Sequence, residues 1–342
     1  MMRARTLLES AWSRQLLLLA AALAITAALV ALAGRSPLAA GQALWNGAFG
    51  SAWAFSNLWT KTIPLLVTGL AITVAFRAGF WNIGAEGQFM AGAIVAGSVG
   101  TWSHWPTIIH LPLVLVLAAL AGAMLAWIPA WLRVSRGALE VISTIMLNFV
   151  MLYVLSWLVH GPLQETSGAQ PIGNPVASSV ALPRLFGGGT TLHAGLAIAL
   201  SLVLFAHVLL ERTETGFRIR MVGASPRACE WAGVPVARTV MRAAAISGGL
   251  AGLAGAIEVL GVLGRLFDKV SPGYGFTAIA VALLARLRPL ALIPAALLFG
   301  ALEAGGSRLQ QDADVSQVLV LVIQGIVILA TLVVGLAARG RE

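Results

Sequence analysis

Charged side chains are scarce in this chain, and their scarcity limits the class of protein that it can form. Of its 342 residues only 10% are charged, whereas 59% are hydrophobic, and the mean hydropathy is +0.90. A soluble domain of this length cannot bury so large an apolar fraction, so the composition excludes a soluble protein. We therefore predict an all-α, polytopic membrane protein that forms a single transmembrane domain over residues 1–342.

Groups that carry out chemistry are also few. The only cysteine, Cys229, excludes an internal disulfide, and the five scattered histidines lack the spacing of metal ligands. No paired carboxylates or nucleophile–base set stand out, and the sequence has no Gly-x-x-x-x-Gly-Lys-Ser/Thr phosphate loop. We therefore expect no chemistry on a substrate and no metal or cofactor held by this chain, and any process that it drives must take its energy from a partner or an ion gradient.

Hydropathy predicts about ten membrane crossings. The third and eighth are short and rich in glycine, so either can be a re-entrant or half helix rather than a full span. Ten crossings divide into two halves of five, and an odd-numbered half predicts an inverted internal repeat, faintly echoed between residues 80–93 and 267–280. The predicted crossings are 15–33, 60–76, 84–101, 111–131, 138–159, 191–210, 240–262, 274–285, 289–304 and 315–336.

The net charge of +9 is interpreted as a topology signal and not as a nucleic-acid site. With the N-terminus in the cytoplasm, most of the 22 basic residues fall on the cytoplasmic side, as the positive-inside rule requires. Both termini are then cytoplasmic, residues 161–190 form an outer loop, and residues 35–58 form an interfacial aromatic belt or a short surface helix. Glu258 and Glu303 are further intramembrane candidates, for which we favour a structural role in which each pairs with Arg265 or Arg308 near the outer surface.

The stretch FWNIGAEGQFMAGAIVA at 80–96 sets polar groups inside otherwise apolar sequence. A charged group at bilayer depth costs about 3 kcal/mol, so these side chains are expected to line an enclosed solute path. Amides and a carboxylate can pair with the edges of a sugar or nucleobase, and an aromatic ring can stack on its face. The alternative is a packed, hydrogen-bonded helix contact, which for Asn148 alone is the favoured interpretation. The candidates are Trp81, Asn82, Glu86, Gln88, Phe89 and Asn148.

A second informative stretch is the predicted cytoplasmic segment 211–242. Ser225 is a good helix N-cap, Pro226 suits the first helical position, and Gly233 suits the end of a short helix over Arg227–Trp231. So short a helix needs a partner surface. We favour a docking element for a cytoplasmic protein over a basic loop that is held by anionic lipid headgroups.

Four stretches together resemble the permeases of ATP-binding cassette (ABC) importers. They are GFWNIGAEGQ, VISTIMLNFV at 141–150, GFRIRMVGASPRACEWAG and SQVLVLVIQGIVIL. The resemblance is to the branched-chain amino acid, ribose and nucleoside group, and within it to the nucleoside and simple-sugar type with its NIGAEGQ motif. That type usually has Phe before the asparagine, where this chain has Trp81, which keeps an aromatic ring.

The resemblance implies an importer of nucleosides or related small polar solutes in the bacterial plasma membrane. Its partners would be a cytoplasmic ATPase that binds ATP and Mg, a second and different permease chain, an external solute-binding protein and membrane lipid. The main alternative is a proton- or ion-coupled secondary transporter that uses Glu86. By resemblance, segment 216–233 is the coupling element for the ATPase, with Gly216, Arg218, Arg220, Gly223, Ser225, Pro226, Arg227, Glu230 and Gly233.

Overall fold

The computed structural model describes residues 24–32, 34–102, 105–166, 168, 170–187, 189–312, 322 and 325–326. The chain divides into two compact units, one of residues 1–61 with 297–342 and one of residues 62–296. The predicted crossing 315–336, apart from three residues, and the first half of the crossing 15–33 lie outside the described residues.

The described chain is mainly helical, with one small two-stranded sheet. In chain order the elements are α1 (Ala24–Leu32), α2 (Pro37–Phe49), α3 (Ala52–Arg77), α4 (Ala85–Val99), α5 (Thr107–Arg136), α6 (Glu140–Val159), β1 (Ile172–Pro175), α7 (Gly195–Arg212), α8 (Glu214–Ala224), α9 (Pro226–Trp231), α10 (Val236–Glu258), β2 (Arg265–Phe267), α11 (Tyr274–Leu284) and α12 (Leu292–Asp312). A π-helical turn, Val259–Leu263, extends α10, and a 3₁₀ turn, Pro289–Ala291, precedes α12.

Six helices among the described residues are long and apolar enough to cross a membrane, or seven if the bent pair α1 and α2 is one span. These six correspond to predicted crossings, and the all-α polytopic prediction is confirmed. The predicted third and eighth crossings are α4 and α11, with 15 and 11 residues. At 1.5 Å per residue they extend about 22 and 16 Å, less than the roughly 30 Å of a bilayer core.

Small residues let three helices of the unit 62–296 approach closely. A Cβ built on Gly248 would lie 2.2 Å from the carbonyl oxygen of Gly122, and one on Gly255 would lie 1.9 Å from that of Phe89. Any larger side chain would therefore separate α10 from α5 and α4. The glycines of α10 thus form a packing surface.

The two short helices meet end to end in the unit 62–296. A Cβ on Gly275, in the first turn of α11, would lie 2.3 Å from the backbone nitrogen of Glu86 in the first turn of α4. The last turn of α4 packs at Gly97 against Leu266 of β2, whereas α11 leads to Arg288. We call the end near Leu266 the strand-pair end, because it holds the antiparallel pair β1 and β2. We call the end near Arg288 the basic end. The two short helices thus lead from their contact toward different ends of this unit.

The unit of residues 1–61 and 297–342 contains a helix where the sequence predicted a belt or a surface helix. Ser36 caps α2 by accepting from the backbone nitrogen of Ala39 at 3.4 Å. α2 packs on α12, because a Cβ on Gly47 would lie 2.8 Å from Gly305 Cα. Residues 52–58 belong to α3 and not to a loop, so α3 begins eight residues before the predicted crossing.

Candidate functional site

The site is built on residues 78–88, of which residues 78–84 interrupt the helical path between α3 and α4. Gly79, with a φ of 69°, reverses the chain after α3, and Gly84 precedes the first helical residue of α4. Because residues 80–84 are not helical, their backbone groups need partners from elsewhere. Side chains supply those partners.

Asn82 and Gln88 form a reciprocal amide pair across the break. Asn82 Nδ2 donates to Gln88 Oε1 at 2.8 Å, and Gln88 Nε2 donates to Asn82 Oδ1 at 2.9 Å. Asn82 also donates to Ser247 Oγ of α10 at 2.9 Å and accepts from the backbone nitrogen of Gly84 at 3.0 Å. Both side chains are buried, and their mutual bonds hold residues 82–88 in one closed turn.

Asn148 joins this turn to α6. Its Oδ1 accepts from the backbone nitrogen of Gly87 at 2.7 Å, and its Nδ2 donates to the carbonyl oxygen of Ile83 at 2.9 Å. Thr144, one turn earlier on α6, accepts from the backbone nitrogen of Ile83 at 3.3 Å. A buried side chain thus satisfies both a donor and an acceptor of the broken segment, which is the role expected of an amide between helices.

Glu86 connects the two short helices. Its Oε2 accepts from the backbone nitrogen of Gly275 at 2.6 Å, although 189 residues separate the two in sequence. A carboxylate between two helix N-termini faces the positive ends of both helix dipoles. Its side chain is buried, and Phe89 of α4 contacts Tyr274 of α11 with ring centroids 5.9 Å apart.

Trp81 is the one exposed side chain of the six predicted path residues. It is 53% exposed and packs one face on Phe76, with ring centroids 4.7 Å apart. The other five are buried within this chain. The structure therefore brings all six to one break, with the polar groups inside it and an aromatic ring on its surface.

The predicted docking helix is α9. Ser225 Oγ accepts from the backbone nitrogen of Ala228 at 3.3 Å, Pro226 is its first residue, and Gly233 follows its end with a φ of 74°. The capping pattern predicted from the sequence is confirmed. Within the helix Cys229 is the buried residue, and Trp231 is 93% exposed.

The sequence did not predict α8. Thr213 caps it by accepting from the backbone nitrogen of Gly216 at 3.1 Å. Arg218 pairs with Glu214 one turn earlier at 2.5 Å, and Arg220 pairs with Glu211 at the end of α7. The Thr-x-x-Gly capping and the i,i+4 ion pair were visible signals, but two glycines and low apolar content masked them.

Residues 77–80 connect α8 and α9 to the break. A Cβ on Gly223 of α8 would lie only 2.0 Å from the carbonyl oxygen of Arg77, so the two backbones touch. Arg77 Nη1 lies 2.5 Å from Glu211 Oε1, and Phe80 packs in one cluster with Cys229. A displacement of α8 and α9 must therefore move residues that lie six to nine positions before Glu86.

Arg133 of α5 fastens the same segment from the other side. Its Nη1 donates to the carbonyl oxygen of Gly79 at 2.7 Å and lies 2.9 Å from Glu140 Oε1. Nothing local in the sequence indicates this bond, which joins residues 54 positions apart. At the strand-pair end, Arg265 pairs with Glu165 at 3.0 Å. The sequence predicted Arg265 as a partner of Glu258 or Glu303.

Among the residues that the structure describes, no three histidine, cysteine or acidic side chains are grouped as metal ligands. Comparison with known proteins gives a match of residues 54–332 to the family model described as branched-chain amino acid transport system / permease component. No solved structure matches the chain.

Three curated relatives are similar over most of their length. The guanosine ABC transporter permease protein NupP of Bacillus subtilis is 34% identical and covers 90% of this chain and 89% of its own. The glucose ABC transporter permease protein TsgB13 of Haloferax volcanii is 33% identical (93% and 86%), and the nucleoside ABC transporter permease protein NupB of Lactococcus lactis is 30% identical (86% and 83%). A second permease protein of each of the two bacteria, NupQ and NupC, also matches, at 28% and 27% identity over 75% and 72% of this chain.

Proposed function

Since the chain belongs to the branched-chain amino acid transport system / permease component family and is the permease subunit of an ABC importer, we propose that it carries nucleosides or related small polar solutes along a path that borders residues 81–89. The relatives named for guanosine and nucleosides support this solute class. The glucose permease marks the range of polar solutes that related chains carry.

The observation that carries the proposal is the closed hydrogen-bonded break between α3 and α4. Asn82, Gln88 and Asn148 hold the break, and Glu86 joins it to α11. Trp81 presents an exposed ring on which a nucleobase or sugar can stack. In this proposal the hydrogen bonds of the buried amides hold the path in a fixed position relative to α4 and α11. Motion of the break makes the buried polar groups accessible to the solute.

α8 and α9 receive the force that drives the motion. We assign them as the docking surface for a cytoplasmic ATPase, which binds the ATP and Mg, because α9 is exposed and α8 touches the backbone of Arg77. The sequence lacks a phosphate loop, so hydrolysis belongs to the partner. In this proposal the protein lies in a bacterial plasma membrane with both termini in the cytoplasm. The strand-pair end then faces an external solute-binding protein.

A second, different permease chain completes the pathway in this proposal. The paired relatives of B. subtilis and L. lactis support a heterodimer. Co-expression of this chain with a related permease and an ATPase, followed by affinity purification through this chain alone, is expected to recover all three. Recovery of this chain only with copies of itself would contradict the heterodimer.

Uptake into vesicles with two substitutions at Glu86 tests the transport mechanism. Glutamine keeps an oxygen that accepts from Gly275, so Glu86→Gln is expected to retain most ATP-dependent uptake of a labelled nucleoside. Glu86→Ala removes the acceptor and is expected to lower uptake more than it lowers the amount of protein in the membrane. A secondary transporter that protonates Glu86 predicts the reverse: uptake driven by a gradient without ATP, and abolished in Glu86→Gln.

A further inference from the structure

A cavity of about 690 Å³ lies at the basic end of the unit 62–296, and the transport proposal assigns no ligand to it. Four guanidinium groups, one histidine and one carboxylate line it. These residues are Arg77, Arg212, Arg220, Arg288, His207 and Glu211.

The cavity carries a surplus of positive charge. The carboxylate of Glu211 is already shared between Arg77, at 2.5 Å, and Arg220. Among the residues that the structure describes, no carboxylate pairs with Arg212 or Arg288. Guanidinium groups bind phosphate oxygens through two parallel hydrogen bonds, so this set favours a phosphate-bearing anion.

The backbone adds to this charge. Arg286 and Leu287 have φ values of 51° and 55°, a conformation that costs each of these residues about 1–2 kcal/mol. This strained turn places Arg288 beside the 3₁₀ turn Pro289–Ala291, whose residues also line the cavity and lead into α12. The N-terminal end of a helix carries partial positive charge, which favours an anion at the same position.

The cavity lies at the level where apolar helices end. The candidate spans Ala52–Arg77 and Gly195–Arg212 both end at it, and the span Pro289–Gln311 begins there. Side chains of α7 form an exposed apolar stripe at intervals of four residues, Leu200, Leu204 and Val208, which leads directly to Arg212. An anionic head beside an apolar stripe is the shape of a phospholipid.

We propose that this cavity binds the phosphate group of an anionic phospholipid, with an acyl chain lying along the stripe Leu200, Leu204 and Val208. The bound head bridges α3, α7, α8 and the start of α12. It therefore stabilises the junction at which α8 meets Arg77. The site does not depend on which solute is carried, so it stands or falls separately from the transport proposal.

Titration of the purified chain in a neutral detergent tests the site. Dioctanoyl phosphatidylglycerol is expected to bind and to raise the thermal unfolding midpoint, whereas dioctanoyl phosphatidylcholine binds more weakly. Each basic residue near a membrane surface contributes about a five-fold factor in affinity, so Arg212→Gln with Arg288→Gln is expected to weaken phosphatidylglycerol binding roughly 30-fold. The matched control is Arg136→Gln with Arg242→Gln, two exposed arginines outside the cavity.

Equal weakening in the control pair, or none in the cavity pair, would overturn the proposal by showing that binding follows general charge. Inorganic phosphate that displaces phosphatidylglycerol at a similar concentration would make the cavity a free-anion site and overturn the lipid assignment. If the double variant fails to fold, the single variants Arg212→Gln and Arg288→Gln are each expected to lose about five-fold in affinity.

Discussion

Adding one methyl group at Gly223 perturbs the contact through which α8 meets the segment before the break. The new Cβ would lie 2.0 Å from the carbonyl oxygen of Arg77, whereas an ordinary contact needs 3.4 Å or more. α8 must therefore move by about 1.4 Å or the contact must open. Overpacking of this kind costs about 1–3 kcal/mol, which shifts the balance between closed and open contact by about 5-fold to 160-fold.

If this contact transmits motion from the ATPase, Gly223→Ala is expected to lower nucleoside uptake per ATP hydrolysed by at least about five-fold. Proteoliposomes that contain the permease pair, the ATPase and the binding protein allow both rates to be measured in one sample. Basal hydrolysis is expected to persist, because the nucleotide site lies on the partner. The control is Gly41→Ala in α2, where nothing lies within 4 Å of the added Cβ. An unchanged uptake-to-hydrolysis ratio in Gly223→Ala, or an equal loss in Gly41→Ala, would refute the reasoning.

Three further predictions concern other parts of the chain. Asn82→Ala breaks four buried hydrogen bonds, and Asn148→Ala breaks two. The free energy of unfolding is therefore expected to fall by about 2–3 kcal/mol for Asn82→Ala and by less for Asn148→Ala. Equal losses in the two variants would contradict this reasoning. Trp231→Ala, which removes the 93% exposed ring of α9, is expected to weaken ATPase binding at least ten-fold in a pull-down titration, whereas Trp45→Ala leaves it unchanged. Burial lowers the pKa of His193 to about 4, so the unfolded chain binds more protons between pH 4 and 6.5 and stability falls as the pH falls through that window. Thermal unfolding is expected to show a loss on the order of 1 kcal/mol at pH 5.5 relative to pH 7.5, and no such loss in His193→Gln.

The surroundings of the His193 ring explain why its protonation is expected to lower the stability of the fold. Its Nδ1 accepts from the backbone nitrogen of Gly195 at 3.1 Å, so the neutral ring carries its proton on Nε2. Protonation of Nδ1 would break that bond in a buried place. A Cβ on Gly261, in the π-helical turn, would lie 2.3 Å from the ring, so the ring has little room to turn away.

Several local features were predictable because their causes lie within a few residues along the chain. Ser225, Pro226 and Gly233 delimit α9 through capping and backbone preference, which need no distant partner. The short α4 and α11 follow from glycine and polar residues that interrupt apolar runs. A helix was one of two alternatives for residues 35–58, because the tryptophans of this stretch suit a membrane interface as well as a helix.

The partners of the polar groups were not predictable in the same way. The sequence indicated that Asn82, Glu86 and Gln88 must find partners at membrane depth, but not which ones. Ser247 meets Asn82 across 165 residues, and Gly275 meets Glu86 across 189. Nothing local in the chain specifies such pairs, because they arise only when α10 and α11 pack against α4.

By itself, the sequence determined that this chain is a helical membrane protein that resembles the ABC permeases, which apolar segments are short, and where the exposed helix α9 begins and ends. Composition, hydropathy and capping act over short stretches, so they can be read directly from the order of residues. Only the tertiary structure decided that the polar break is closed by its own amides, that Glu86 joins two opposed short helices and that α8 touches Arg77. Those contacts depend on how closely backbones approach, and glycines allow that approach only once the helices have packed.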